Sequence, residues 1–169
     1  MNVRSTPVAT LPAGFVGLVA SHQLRATPAR VLELLASGSA PWAEGLVERP
    51  PAPGLRRYVV DLRLRLGGED AAMTTFRKAA YLDVGTPVRT DDGWDLDISW
   101  RATTGAPLFP VFAGKLVVQA GTMRIEGIYA PPGGVIGRVA DRVLLHVAAN
   151  ATARWLLAEI DRAAVGAAA

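Results

Sequence analysis

Few residue types are available to carry chemistry in this chain. Its 169 residues include two histidines, two lysines (Lys78 and Lys115) and no cysteine. Thiolate catalysis and disulfides are therefore excluded, and a zinc site, which usually recruits cysteine, has no plausible ligand set. No carboxylate spacing marks a site for another metal. No cofactor motif stands out either: Gly133-Gly134-Val135-Ile136-Gly137 lacks both the dinucleotide spacing and the P-loop lysine, and there is no Gly-x-Ser-x-Gly elbow.

What remains is a short set of titratable side chains. In an extended segment His22 shares a face with Leu18 and Ala20. Facing inward it can orient a bound group or act as a general base; at an edge it would simply hold an ordinary partner. Lys78 sits between Phe76 and Ala80. If buried it needs an anion, whether a ligand carboxylate or a protein acid such as Asp83, or its pKa falls by up to ~3–5 units. If exposed it is a solvated lysine, and the local alternation decides neither. Tyr58 and Tyr129 can each turn a hydroxyl inward, or use it on a backbone group. Arg142, His146, Asn150 and Arg154 recur at i,i+4 and read as a solvated helix face, with Arg154 nearest its apolar side.

These residues need elements to position them. Gly14–Arg25 reads as a strand. A short helix follows, with Thr27 as cap, Pro28 in the first turn and Gly38 as the stop. A second helical turn is expected around Pro41–Val47, anchored by Trp42, before the stiff connector Arg49–Gly54. From Leu55 the period becomes two: Tyr58, Val60, Leu62, Leu64 and Leu66 alternate with charged neighbours. Gly67–Asp70 turns the chain into a strand near Met73–Val84, and Asp91-Asp92-Gly93 turns it again. Trp94, Leu96, Ile98 and Trp100 then form the cleanest alternating strand. After a loop at Thr103–Pro107, Phe112, Leu116 and Val118 share a face, and a tight Ala120-Gly121 turn leads into Thr122–Tyr129. Closely spaced strands joined by short turns make an antiparallel meander. Ile136, Val139, Ala140, Val143, Leu144, Val147, Ala151 and Trp155 then recur at spacings of three and four, predicting one long helix from about Val135 to Ala164.

Three stretches carry a family resemblance: Asp97-Ile98-Ser99-Trp100, Leu108-Phe109-Pro110, and the run from Gly127 through Tyr129-Ala130-Pro131-Pro132-Gly133-Gly134 to Gly137 and Asp141. With the order of elements, they resemble a bacterial branch of the START-like (SRPBCC, polyketide cyclase-like) superfamily over about Val16–Ala164. The resemblance implies an α+β helix-grip fold: a curved antiparallel sheet of about six strands around a long C-terminal helix, with one or two short helices after the first strand. It also implies a cavity between sheet and helix for a lipid-like or polyketide/aromatic ligand, held by a carrier or sensor, or alternatively by a cyclase, dehydratase or hydrolase. Its candidate lining is His22, Tyr58, Lys78, Leu96, Ile98, Trp100, Phe109, Phe112, Leu116, Tyr129, Val143 and Val147, and the loop bearing Phe109 is a candidate lid. Plain core packing is the competing reading for the apolar members. Gly127 and Gly137 are expected where the last strand and the helix approach closely, and Asp141 complements the helix N-terminal dipole.

Composition sets the outer limits. Half of the residues are apolar and a fifth charged, with a net charge of +3, which suits one globular domain (14–165) behind a flexible segment (1–13). The arginines are interleaved with apolar residues and form no phosphate-tracking stripe, so no nucleic-acid partner is expected. Pro12 interrupts the N-terminal apolar stretch, and no segment has the ~20 apolar residues that span a bilayer. A cytoplasmic monomer or homodimer without cofactor is the expectation.

Overall fold

Alternation builds the sheet, and one helix closes it. A computed structural model of the chain describes residues 14–37, 43–46, 52–66, 74–104, 111–130 and 139–166, with the side chains at 43–46, 63–66, 74–78, 139–145 and 148 excepted. The described strands are β1 (Val16–Gln23), β2 (Ala43–Leu46), β3 (Arg56–Leu66), β4 (Thr74–Val84), β5 (Val88–Arg89), β6 (Gly93–Ala102), β7 (Val111–Gln119) and β8 (Thr122–Ala130). They form one antiparallel sheet in the order β1-β8-β7-β6-β4-β3-β2, with β5 paired to β6. The alternate residues Tyr58, Val60 and Leu62 of β3, Leu96, Ile98 and Trp100 of β6, and Phe112, Leu116 and Val118 of β7 are all buried, as period two requires.

Helix α1 (Pro28–Ser37) buries Val31, Leu34 and Leu35. Its start is fixed by Thr27, whose carbonyl accepts from the Arg30 and Val31 amides. One of its last carbonyls is satisfied from β3: Leu35 O accepts from Tyr58 Oη at 2.5 Å and from Arg56 Nη1 at 3.2 Å. The glycine stop at Gly38 lies outside the described residues. Ala43–Leu46 corrects the expected second helical turn, being a strand on the edge of β3. An isolated turn pays for helix nucleation with almost no hydrogen bonds, whereas β3 offers an open row of N–H and C=O groups. The two short strands, β2 and β5, enlarge the expected sheet of about six.

Helix α2 (Val139–Gly166) is 28 residues long, about 42 Å. Its buried stripe is Ala149, Thr152, Ala153, Leu156, Leu157, Ile160, Asp161 and Ala164. The expected stripe is thus out of phase in this half, and Val147, expected to face the sheet, is 54% exposed. The helix lies closest to β1 and β3. Those strands stand five places apart in the sheet, about 24 Å if it were flat, and a helix is only about 10–12 Å wide. The sheet must therefore curl around α2.

Gly114 and Gly127 face each other across β7 and β8, and they allow one large ring to lie down between them. A Cβ on Gly127 would come within 2.9 Å of Phe112 Cζ and 2.6 Å of Gly114 Cα, and one on Gly114 within 2.8 Å of Phe112 Cζ. The nearest neighbours of Gly127 are thus the Phe112 ring and the facing strand, rather than the helix that was expected there. Gly137 lies outside the described residues. Replacing Gly127 by alanine should cost about 1–3 kcal/mol through overpacking, read as a lower urea midpoint with an unchanged m-value.

Candidate functional site

Strand register assembles an aromatic row across the concave face. Tyr129 pairs with Phe112, Phe112 with Trp100, Trp100 with Leu82, and Leu82 with Tyr58. All five are at most 1% exposed. The Trp100 and Phe112 rings stack with centroids 4.0 Å apart and an 18° interplanar angle. Directly paired side chains point to the same face, and the Gly114–Gly127 gap in the next row gives Phe112 room to lie flat. Leu96, Ile98 and Leu116 continue the apolar face beside the row. Trp100 Nε1 is buried with no hydrogen-bond partner among the described residues, which is a costly way to hold an indole.

The hydroxyls at the two ends of the row have different partners. Tyr58 Oη donates to Leu35 O. Burial raises its pKa, and nearby Arg56 offsets part of that rise. Tyr129 Oη lies 3.5 Å from His146 Nδ1, and burial raises its pKa too. His146 is exposed, and Asn150 Nδ2 lies 3.0 Å from both His146 Nε2 and the His146 carbonyl oxygen. The polar row expected on a solvated helix face therefore reaches back to touch the buried tyrosine. Both phenols stay protonated at neutral pH and can donate a hydrogen bond.

His22 belongs to another part of the molecule. It pairs in register with Met123, six residues along β8 from Tyr129, about 20 Å of extended chain. Its Nε2 lies 3.1 Å from Asp161 Oδ2. The same carboxylate accepts from Arg25 Nε at 2.9 Å, the Arg25 amide at 2.9 Å and the Ala26 amide at 3.0 Å. Burial alone would raise the Asp161 pKa, but the bonds from the Arg25 side chain, the Ala26 amide, His22 and the Arg25 amide outweigh it and hold it well below the ordinary carboxylate range. The histidine singled out as a possible base is thus one strut of a structural clamp. Asp161 escaped the sequence reading, although an acid in phase with Leu157, Ile160 and Ala164 signals a buried partner.

Lys78 takes the register position opposite Leu62, and its side chain lies outside the described residues. Asp83, the protein acid considered for it, is held by Arg57 through two 2.6 Å bonds. Phe109 and the Val143 side chain also lie outside the described residues. Val147 is exposed and stands off the buried stripe. Among the described residues no group of three or more His, Asp or Glu side chains could hold a metal ion.

A cavity of about 340 Å³ opens where α1 meets the corner of the sheet, lined by Leu32, Leu35, Leu55, Arg56, Pro87 and Leu96, among others. Leu96 is shared with the concave face, so the cavity borders that face, ~13 Å along β6 from Trp100.

No protein-family model and no curated protein matches the chain. Solved structures do. The di-domain ARO/CYC BexL, from the BE-7585A biosynthetic pathway, superposes with a TM-score of 0.55 at 16% identity over 90% of this chain. The chain spans about half of that protein's length, 51%. The Zhui aromatase/cyclase from Streptomyces sp. R1128 superposes with a TM-score of 0.52 at 11% identity, over 92% of this chain and 96% of that one. At such identities the likeness establishes the architecture: this chain has the helix-grip fold that the sequence resemblance implied. No helix among the described residues is long and apolar enough to cross a membrane.

The Asp161 clamp makes stability depend on pH with a definite sign. Its folded pKa is lower than its unfolded value of about 4, so its contribution is complete above that pH and drains away as pH falls below it. Asp161→Ala should cost about 3–5 kcal/mol, nearer the low end because Arg25 is largely exposed. Urea titrations of both proteins at pH 7 and pH 3 should show the gap narrowing at pH 3.

Proposed function

We propose that this chain binds a hydrophobic small molecule, lipid-like or polyketide/aromatic, between the curled sheet and α2, as a carrier or sensor. The observation that carries the reading is Trp100, an indole buried in an aromatic row with its N–H unmatched. A planar ligand entering the row would stack against the Trp100–Phe112 pair and accept from Nε1–H, satisfying the donor that the protein leaves open. The apolar neighbours Leu96, Ile98 and Leu116 would cover the rest of the ligand. The row is buried as it stands, so uptake requires local opening, and Trp100 would report it by fluorescence.

An enzyme, a cyclase, dehydratase or hydrolase acting in the same place, is the alternative. The observation that favours it is the contact between Tyr129 and His146, which would let a buried phenol exchange its proton with a solvent-facing imidazole. His22 would have no part in it, being engaged by Asp161. In either reading we take residues 14–165 as one domain working in the cytoplasm as a monomer or homodimer, with neither nucleic acid nor membrane insertion.

Native mass spectra before and after denaturation should release a hydrophobic small molecule from the purified protein. Titration with 2-naphthol should quench tryptophan emission saturably. Trp100→Phe should weaken that binding about 5–10-fold, the value of one hydrogen bond of about 1–1.4 kcal/mol. Absence of both a co-purifying molecule and any saturable response to 2-naphthol or palmitate would overturn the binding reading.

A further inference from the structure

The start of β3 carries a charge where its pattern calls for an apolar residue. Positions 58, 60 and 62 are Tyr, Val and Leu, all fully buried on the concave face. Arg56 is the preceding member of that alternate row. It stands in register with Val84, which pairs with Ile98, and both of these are 2% exposed. Unlike them it is exposed, so it holds a guanidinium at the open rim of the apolar face.

Its partners do not neutralise it. The ion pairs among the described residues join His22 and Arg25 to Asp161, Arg30 to Glu33, Arg57 to Asp83, Lys115 to Asp95, Arg124 to Glu126 and Arg162 to Glu159. Arg56 is in none of them. It donates Nη1 to Leu35 O at 3.2 Å and acts on the Tyr58 hydroxyl, while a guanidinium has five N–H donors. Both contacts are with neutral groups, so among the described residues no protein anion pairs with the charge, and solvent faces it.

The cavity of about 340 Å³ lies against this cation, with Leu32, Leu35, Leu55, Pro87 and Leu96 as its apolar lining. That volume falls within the ~300–1,000 Å³ usual for small-molecule sites. One cation beside an apolar wall selects an amphiphile, and a planar guanidinium fork matches a carboxylate.

We infer that the small molecule taken by this fold is a carboxylate-bearing amphiphile, with its head group on Arg56 and its hydrocarbon body running over Leu96 toward the aromatic row. The inference rests on the binding reading above and adds the head group to it. The ordinary reading of Arg56, a cap for the C-terminus of α1, explains one N–H and leaves its other donors free at the mouth of the cavity. Tyr58 already serves the same carbonyl.

The test compares two probes with the same hydrocarbon tail, decanoate and 1-decanol, by calorimetry below their aggregation limits on the full chain. Decanoate should bind at least 10-fold more tightly than decanol. Arg56→Gln should abolish that preference while changing decanol affinity less than about threefold, so the variant carries its own control for folding. Arg56→Lys, which keeps the charge but not the fork, should retain a smaller preference. Equal binding of the two probes by the unmodified chain, or a preference that survives Arg56→Gln, would overturn the head-group assignment and leave the binding reading standing. Binding of neither probe would overturn both.

Discussion

A sheet whose flanks must both touch one helix is the constraint on which the rest of this structure depends. β1 and β3 are five strands apart, and α2 lies against both. Right-handed twist supplies part of the curl for nothing; the remainder needs close packing in the middle of the sheet. Gly114 and Gly127 supply it. By omitting two side chains in one row they let Phe112 lie along the strands instead of standing up from them. Tyr58, Trp100, Phe112 and Tyr129, all buried, fill the hollow of the curl with large, rigid rings.

What keeps the helix in that grip is polar. Asp161 receives two backbone amides, a guanidinium and an imidazole from the junction between β1 and α1. A fully buried carboxylate is costly unless almost every lone pair is used, and here four donors converge on two oxygens. Such a bond set tolerates few alternative geometries, so it fixes the helix's register against the sheet in a way that apolar contacts, being non-directional, do not.

The parts legible in the sequence were those with a local period. Leu96, Ile98 and Trp100 alternate without interruption because one face meets water and the other the core, and the strand follows directly. The phase of α2 was hidden for the opposite reason. Alanines stand both in the buried stripe, as Ala149 and Ala153 do, and off it, as Ala151 does, and hydropathy cannot rank faces that are all weakly apolar. Val147 was placed on the wrong side for that reason. Ala43–Leu46 became a strand through pairing with β3, across the stiff connector, which no local period announces. The phase of Asp161 on the helix was a signal, but its partners were not legible because the four donors lie about 135 residues upstream. For the candidate site, the sequence supplied the residues of the aromatic row, but the register that aligns Tyr129, Phe112, Trp100 and Tyr58 is a property of the folded sheet. His22 was set apart from them by the same register.

In the proposed function the concave face would serve folding and recognition with the same atoms, and this would limit how the two can be tuned separately. Every side chain that would contact a ligand also fills the hollow made by the curl, so enlarging the hollow for a larger guest weakens the packing that holds the sheet bent. Polar groups escape that coupling. The indole N–H of Trp100 has no partner among the described residues, and Arg56 stands exposed without an ion pair there, so neither polar group is needed to hold the curl. A fold can carry a few unmatched groups only when the rest of its core is well satisfied, and the Asp161 clamp and the stacked aromatics are what make that possible here. On the proposed reading, chemical selectivity would therefore reside in these polar groups, while the apolar residues set the shape within which they act.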